Sequence, residues 1–276
     1  MVSASPLAIC CSPLATLIMN TQLDRLTAKK AELDAHRPLL PEQLANVQAW
    51  LDLEYTYTSN AIEGNTLNRA ETALIIEKGI TVQGKLLREH LEAVNHARAV
   101  RLIYSLMAKG HQELTENDIK RLHKIVLTGI NDEWAGLYRR INVFIVGADV
   151  EPPPPNAVPD RMAALIEWLD RQQETHPAQI AADLHFKFVE IHPFIDGNGR
   201  SARLLMNLTL LQHGYPLAII KMSERLAYMM AINEGTVSEN LEPFRQIIYT
   251  AIERTLDAWL TAVNGGSILP AFLDDE

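Results

Sequence analysis

The chain has 276 residues, 47% of them hydrophobic and 21% charged, with a formal net charge of −9. That length and composition predict a packed core in one large domain, or a core with an appendage, and the acidic balance disfavours a general electrostatic grip on nucleic acid. The two cysteines, Cys10 and Cys11, are adjacent and build no disulfide framework, which fits a reducing, cytoplasmic compartment.

Residues 1–20 lack the basic start of a secretory signal, and Pro6 and Pro13 interrupt their apolar run, so they read as a disordered extension. No apolar run reaches the length of a membrane span. Leu23, Leu26 and Leu33 among charges predict a surface helix over 21–36. A second helix starts at Pro41 and stops around Gly64-Asn65, and further helices are predicted over 68–78 and 84–108. Together 21–110 form an N-terminal helical region. Thr115-Glu116-Asn117-Asp118 has the form of a capping box and opens a helix through Leu127. Ile141, Val143, Phe144, Ile145 and Val146 read as a short strand pair turning at Gly147, and the prolines of 152–155 as a rigid extended loop. Helices resume over 160–173, 177–191, 200–213, 223–233 and 241–262, completing a core over 111–262, and 263–276 is a loose tail. The fold class is mainly α with one small β-hairpin.

The chemistry is concentrated in His192-Pro-Phe-Ile-Asp-Gly-Asn-Gly-Arg-Ser-Ala-Arg203. Pro193 ends one buried helix and the apolar run after Arg200 starts another, so the segment is a tight loop feeding a helix N-terminus. Gly197 and Gly199 let amides converge on one point, where the helix dipole adds positive potential. Arg200 and Arg203 share a face of the new helix, and their forks match phosphate oxygens. These groups make a polyphosphate cradle. Asp196, the only carboxylate in the loop, is compatible with phosphate through a divalent cation and is read as a Mg²⁺ ligand. His192, with an ordinary pKa of about 6.5, suits a general base, and Phe194 an anchor into the core. Each feature alone has an ordinary explanation as a cap, a turn or a solvated face. Five matched residues in one loop do not.

This loop resembles the Fic motif, H-x-F-x-[D/E]-G-N-G-R-x-x-R, at every specified position, and the resemblance extends over roughly 43–250. It implies a Fic-type helical core whose hairpin is a flap, and transfer of AMP from ATP to a Ser, Thr or Tyr hydroxyl of a target protein docked on the flap at 142–150. In that scheme His192 takes the hydroxyl proton and Asp196 holds Mg²⁺. Gly197, Asn198 and Gly199 bind phosphates, Arg200 contacts the β-phosphate and Arg203 the γ-phosphate. Tyr228 lies near the adenine, with Asn233 or Asn240 beside it. The partners are then the target protein and a second copy in a homo-oligomer, with no nucleic acid and no membrane.

Upstream, Ser59-Asn60-Ala61-Ile62-Glu63-Gly64 resembles the family's inhibitory motif, [S/T]-x-x-x-E-[G/N], within a helix over about 43–64. Glu63 would pair with Arg203 and deny it to the γ-phosphate. The same residues would serve removal of AMP, with Glu63 orienting a water. A non-enzymatic binding module is the more distant alternative. A zinc hydrolase using His185 and His192 lacks the expected i, i+4 spacing.

Overall fold

Proline, glycine and short polar side chains set most helix boundaries. The computed structural model describes residues 13–37, 41–109, 113–145, 147–268 and 272. Ten α-helices run through them: α1 (Pro13–Ala35), α2 (Pro41–Ile62), α3 (Arg69–Lys78), α4 (Leu87–Leu106), α5 (Glu116–Leu127), α6 (Val158–Asp170), α7 (Pro177–Ile191), α8 (Asn198–Gln212), α9 (Arg225–Ser238) and α10 (Glu242–Val263). The box at Thr115 forms as the sequence suggests: Thr115 Oγ1 accepts from Asp118 N, and Asp118 Oδ2 accepts from Thr115 N. Asn68 and Glu71 make the same reciprocal pair at the start of α3.

Three expectations differ from the structure. Helix α1 starts at Pro13, so 13–20 continue it, whereas residues 1–12, with both cysteines, lie outside the described residues. Helix α9 runs to Ser238 and not to 233. Gly235 stays helical because its bare α-carbon packs on Phe186; a Cβ there would come within 2.7 Å of Phe186 Cε2. The hairpin is the third. Among the described residues none is in a strand, and 141–150, apart from Val146, is irregular. Ile141 and Phe144 are exposed, so this run lacks the buried face that makes alternating residues pair, and an isolated two-stranded ribbon is marginal at best. The proline run is extended, as its composition dictates, and passes through a 3₁₀ turn (Pro155–Ala157) into α6. Of the tail, 269–271 and 273–276 lie outside the described residues.

Helix α8 is the axis of the molecule. It packs against α7, α4, α5 and α2, and Ala202, Leu204, Leu205, Met206, Leu208 and Leu210 have no exposed surface. A helix buried on every side belongs in the centre of a fold, and its polar residues must then find partners there. Helix α1 lies along α10, clasped by Arg25 and Lys29 to Glu253. Among the described residues no helix is long and apolar enough to cross a membrane.

One polar residue inside this centre is structural. Asn207 donates to the carbonyl of Ala218 at 3.0 Å and accepts from its N–H at 2.7 Å, pinning the extended segment after α8. Asn207→Leu keeps the volume but leaves both groups of Ala218 buried and unpaired, a loss of roughly 2–4 kcal/mol. Urea unfolding should show it as a lower midpoint, and an unchanged midpoint would refute the role.

Candidate active site

The loop joining α7 to α8 is built by two left-handed residues. His192 closes α7 at φ 48°, ψ 59°, and Gly197 opens α8 at φ 76°. Glycine takes that conformation freely, but histidine does so at a cost of about 1–2 kcal/mol. The surroundings impose it. Arg139, only 2% exposed, donates Nε to the carbonyl of His192 at 2.7 Å, and its main-chain N–H goes to the carbonyl of Pro193 at 2.9 Å. Its other nitrogens reach the carbonyls of Ile141 and Pro153, on either side of the irregular segment 142–150. Within the loop, the Asn198 side chain clamps both the N–H (2.9 Å) and the carbonyl (2.8 Å) of Phe194. Asn198 is thereby a loop brace in this state.

Burial drives the imidazole of His192 down to about 4, with the Val189 carbonyl and the carboxylates of Glu63 and Asp196 partly offsetting it. It is therefore neutral and able to accept a proton at pH 7. Burial pushes Asp196 upward, but Arg200, the Gly197 N–H (2.6 Å) and Arg88 (2.7 Å) overcome this and hold its carboxyl below the usual range. Arg200 is almost fully buried, paired with Glu92 and Asp196 at 3.3 Å each, while its Nε has no hydrogen-bond partner. A buried guanidinium with an unspent donor suits an incoming anion. The donor set also fits Mg²⁺. A half-exposed carboxylate beside an anion cradle is how that ion is commonly held, with phosphates completing its shell. Among the described residues no group of three or more His, Cys, Asp or Glu could cage a metal alone.

Arg203 is 2% exposed and fully engaged. Nε donates to Ser59 Oγ (3.0 Å), Nη2 to the Ser59 carbonyl and to Glu63 Oε1 (2.8 Å each), and Nη1 to the Tyr228 hydroxyl (3.4 Å). Burial disfavours its charge, but Glu63 and Tyr228 raise its pKa above the ordinary value. Glu63 lies one residue beyond the end of α2, directly over the first turn of α8: any Cβ at Gly199 would overlap its carboxylate. A carboxylate thus sits where the sequence places a phosphate. The turn that presents it is tied to α4, with Asn65 donating to Glu92 Oε2 at 2.9 Å and Thr66 to Glu89 Oε1 at 2.7 Å.

His192, Gly199, Arg203 and Glu63 line one end of a cavity of about 600 Å³ whose other walls are α9 and the flap segment. Asp196 and Arg200 stand behind this end, out of the cavity wall. Tyr228 is brought to Arg203, but its ring is 1% exposed and its hydroxyl is shared with His185 Nε2 at 2.9 Å, so here it braces the arginine. Asn233 lines the cavity, where it holds Asp149 of the flap through two hydrogen bonds, whereas Asn240 caps α10 by accepting from Glu242 N. In the sequence Tyr138-Arg139 resembles only the start of the family's flap region, with no role for the arginine, and nothing local marks Glu92 or Arg88.

A family model described as Fic/DOC family matches residues 113–210. "Protein adenylyltransferase Fic" of Nematostella vectensis is 36% identical over 243 residues, covering 87% of this chain and 56% of that protein. The protein of the same description in Drosophila willistoni is 37% identical over 249 residues, covering 88% and 48%. The chain thus spans about half the length of the curated relatives it matches. Among solved structures, Fic-1 (aa134–508) of C. elegans superposes with a TM-score of 0.82 at 30% identity, covering 91% of this chain and 74% of that one. A Fic domain containing signaling protein of Bacteroides thetaiotaomicron gives 0.80 at 30% identity, covering 90% and 98%.

Four buried histidines set an acid sensitivity. Burial holds His192 and His123 near 4, and His96 and His185 well below their ordinary value. Their folded pKa values lie below the unfolded value of about 6.5, so the folded state binds fewer protons and stability falls as pH drops from about 6.5 toward 4. The urea midpoint should decline through pH 6 and 5, before most carboxylates titrate. A flat midpoint over that window would contradict the neutral buried state.

Proposed function

The chain belongs to the Fic family, and on that premise we propose that it is an autoinhibited protein adenylyltransferase. The observation that carries the proposal is the meeting, at one end of one cavity, of a neutral buried imidazole, a glycine-opened helix N-terminus and a buried arginine already holding a carboxylate. ATP would lie with its phosphates at the start of α8 and its base toward α9. A target hydroxyl attacks the α-phosphorus, the bond to the pyrophosphate oxygen breaks, and the hydroxyl proton passes to His192. Amides at Gly197–Gly199 and the guanidinium of Arg200 receive the charge on the phosphate oxygens. Mg²⁺, held by Asp196, would neutralise further phosphate charge when bound. Asp196 becomes available as Arg88, 56% exposed at its side chain, swings aside.

The target would approach along 142–150. Exposed Ile141 and Phe144 beside the cavity support a docking mode in which a target segment pairs with the flap backbone, largely independent of its sequence.

Restraint follows from Arg203. With Glu63 in place the guanidinium is spent, the γ-phosphate loses its partner, and the α-phosphate is misaligned for in-line attack. A surface ion pair worth about 0–1 kcal/mol would not hold ATP out. This pair is different, because Arg203 is buried and pre-set by Ser59. Removing Glu63 leaves both Ser59 contacts, so the arginine stays in place for phosphate.

Glu63→Gly should therefore raise AMP transfer from labelled ATP by about tenfold or more, equivalent to at least roughly 1.4 kcal/mol. No gain in labelled protein would sink the inhibitory role. In that variant His192→Ala should abolish transfer with the fold intact by circular dichroism. Retained transfer would remove His192 as the base, and absence of any transfer by the Glu63→Gly protein in lysate would count against the enzyme itself.

A further inference from the structure

Helix α5 buries Ile119, Leu122 and Val126, and His123 is buried among them with no exposed surface. Apolar neighbours suggest an inert core residue, but both ring nitrogens are in use. Gly136 donates its N–H to Nδ1 at 2.9 Å, which places the proton on Nε2, and Nε2 meets the carbonyl of Asp196 at 2.9 Å. The ring also lies flat on Phe194, with centroids 3.5 Å apart and planes 2° from parallel. The fit is tight around it. A Cβ at Gly197 would approach Nε2 to 3.4 Å, and one at Gly136 would meet the Lys120 carbonyl at 2.8 Å.

These two hydrogen bonds run from one side chain of α5 to two parts of the site. One ends on the residue that carries the loop carboxylate. The other ends three residues before Arg139, whose guanidinium and amide hold the carbonyls of His192 and Pro193. Resting on the adenylyltransferase reading, we infer that His123 is a positioning residue. A single side chain outside the loop registers Asp196 and, through the 136–139 segment, His192 against each other. It touches neither nucleotide nor target hydroxyl, so its effect is on alignment and not on ATP capture.

The test uses the full chain carrying Glu63→Gly. His123→Phe keeps a flat ring on Phe194 and loses both hydrogen bonds, whereas His123→Gln brings an amide donor to the place of Nε2. Should the Phe variant fail to fold, His123→Asn, too short to reach Asp196, takes its place. The Phe variant should lose about 10- to 100-fold in kcat with KM for ATP within about threefold, and the Gln variant should regain most of the loss. Amide hydrogen exchange at 196–199 should quicken in the Phe variant and stay slow in the Gln variant. Unchanged kcat and exchange in the Phe variant would overturn the inference. So would equal loss in both variants, the mark of packing alone. If the Glu63→Gly protein transfers no AMP at all, exchange decides: quickened exchange keeps His123 as the loop's positioning residue while the transferase reading falls, and unchanged exchange overturns the positioning role itself.

Discussion

A guanidinium buried to 2% exposure must be paired, and Arg203 imposes that requirement on everything around it. Its position on α8 is fixed by the most deeply buried helix of the fold, so its partners have to come to it. Ser59 does so from α2, Tyr228 from α9, and Glu63 from the turn after α2. Two segments distant in sequence from each other, the end of α2 and α9, are thereby drawn to one charge. The phosphate that the site is proposed to bind must take over the role Glu63 plays at rest. Under that proposal inhibitor and substrate would compete because both are anions suited to one cation.

The loop before α8 is held to a similar standard. Six residues separate α7 from α8, and the carbonyls of His192, Pro193, Phe194 and Asp196 are each taken by a named donor: Arg139, Asn198 or His123. Such a loop has few conformations available. It can keep His192 in a left-handed backbone that histidine does not favour, and it presents the imagined reaction with side chains already oriented.

Much of this was legible in the sequence because it is local. Proline and glycine marked the helix ends, the box at Thr115 formed, and twelve consecutive residues carried base, carboxylate and arginines. The pairing of Glu63 with Arg203 followed from the resemblance, since nothing in either segment alone points to the other, whereas the two contacts of Ser59 with the guanidinium were not foreseen. What stayed illegible is tertiary. His123 reads as one more residue of a predicted helix, and nothing marks Arg139 as a buried cation, until the loop carbonyls they serve are placed beside them. The apolar residues at 141–146 suggested paired strands, but such a run settles as a strand only when a face of it is buried, and here Ile141 and Phe144 are exposed. Helix α9 runs on through Gly235, whose packing partner, Phe186, lies far away in the chain.

Glu63 stands just past the last helical residue of α2, in a turn tied to α4 by Asn65 and Thr66. Helix ends fray at far lower free energy than whole helices move. Under the proposed restraint the molecule would not be locked in the manner of a closed bolt; it would idle, with a leak set by how often one turn loosens. Glu89, on another helix and bonded to Thr66 of that turn, would help to set that idle speed. Basal output would then be tunable from α4 at a residue with no bond to the groups assigned to the nucleotide.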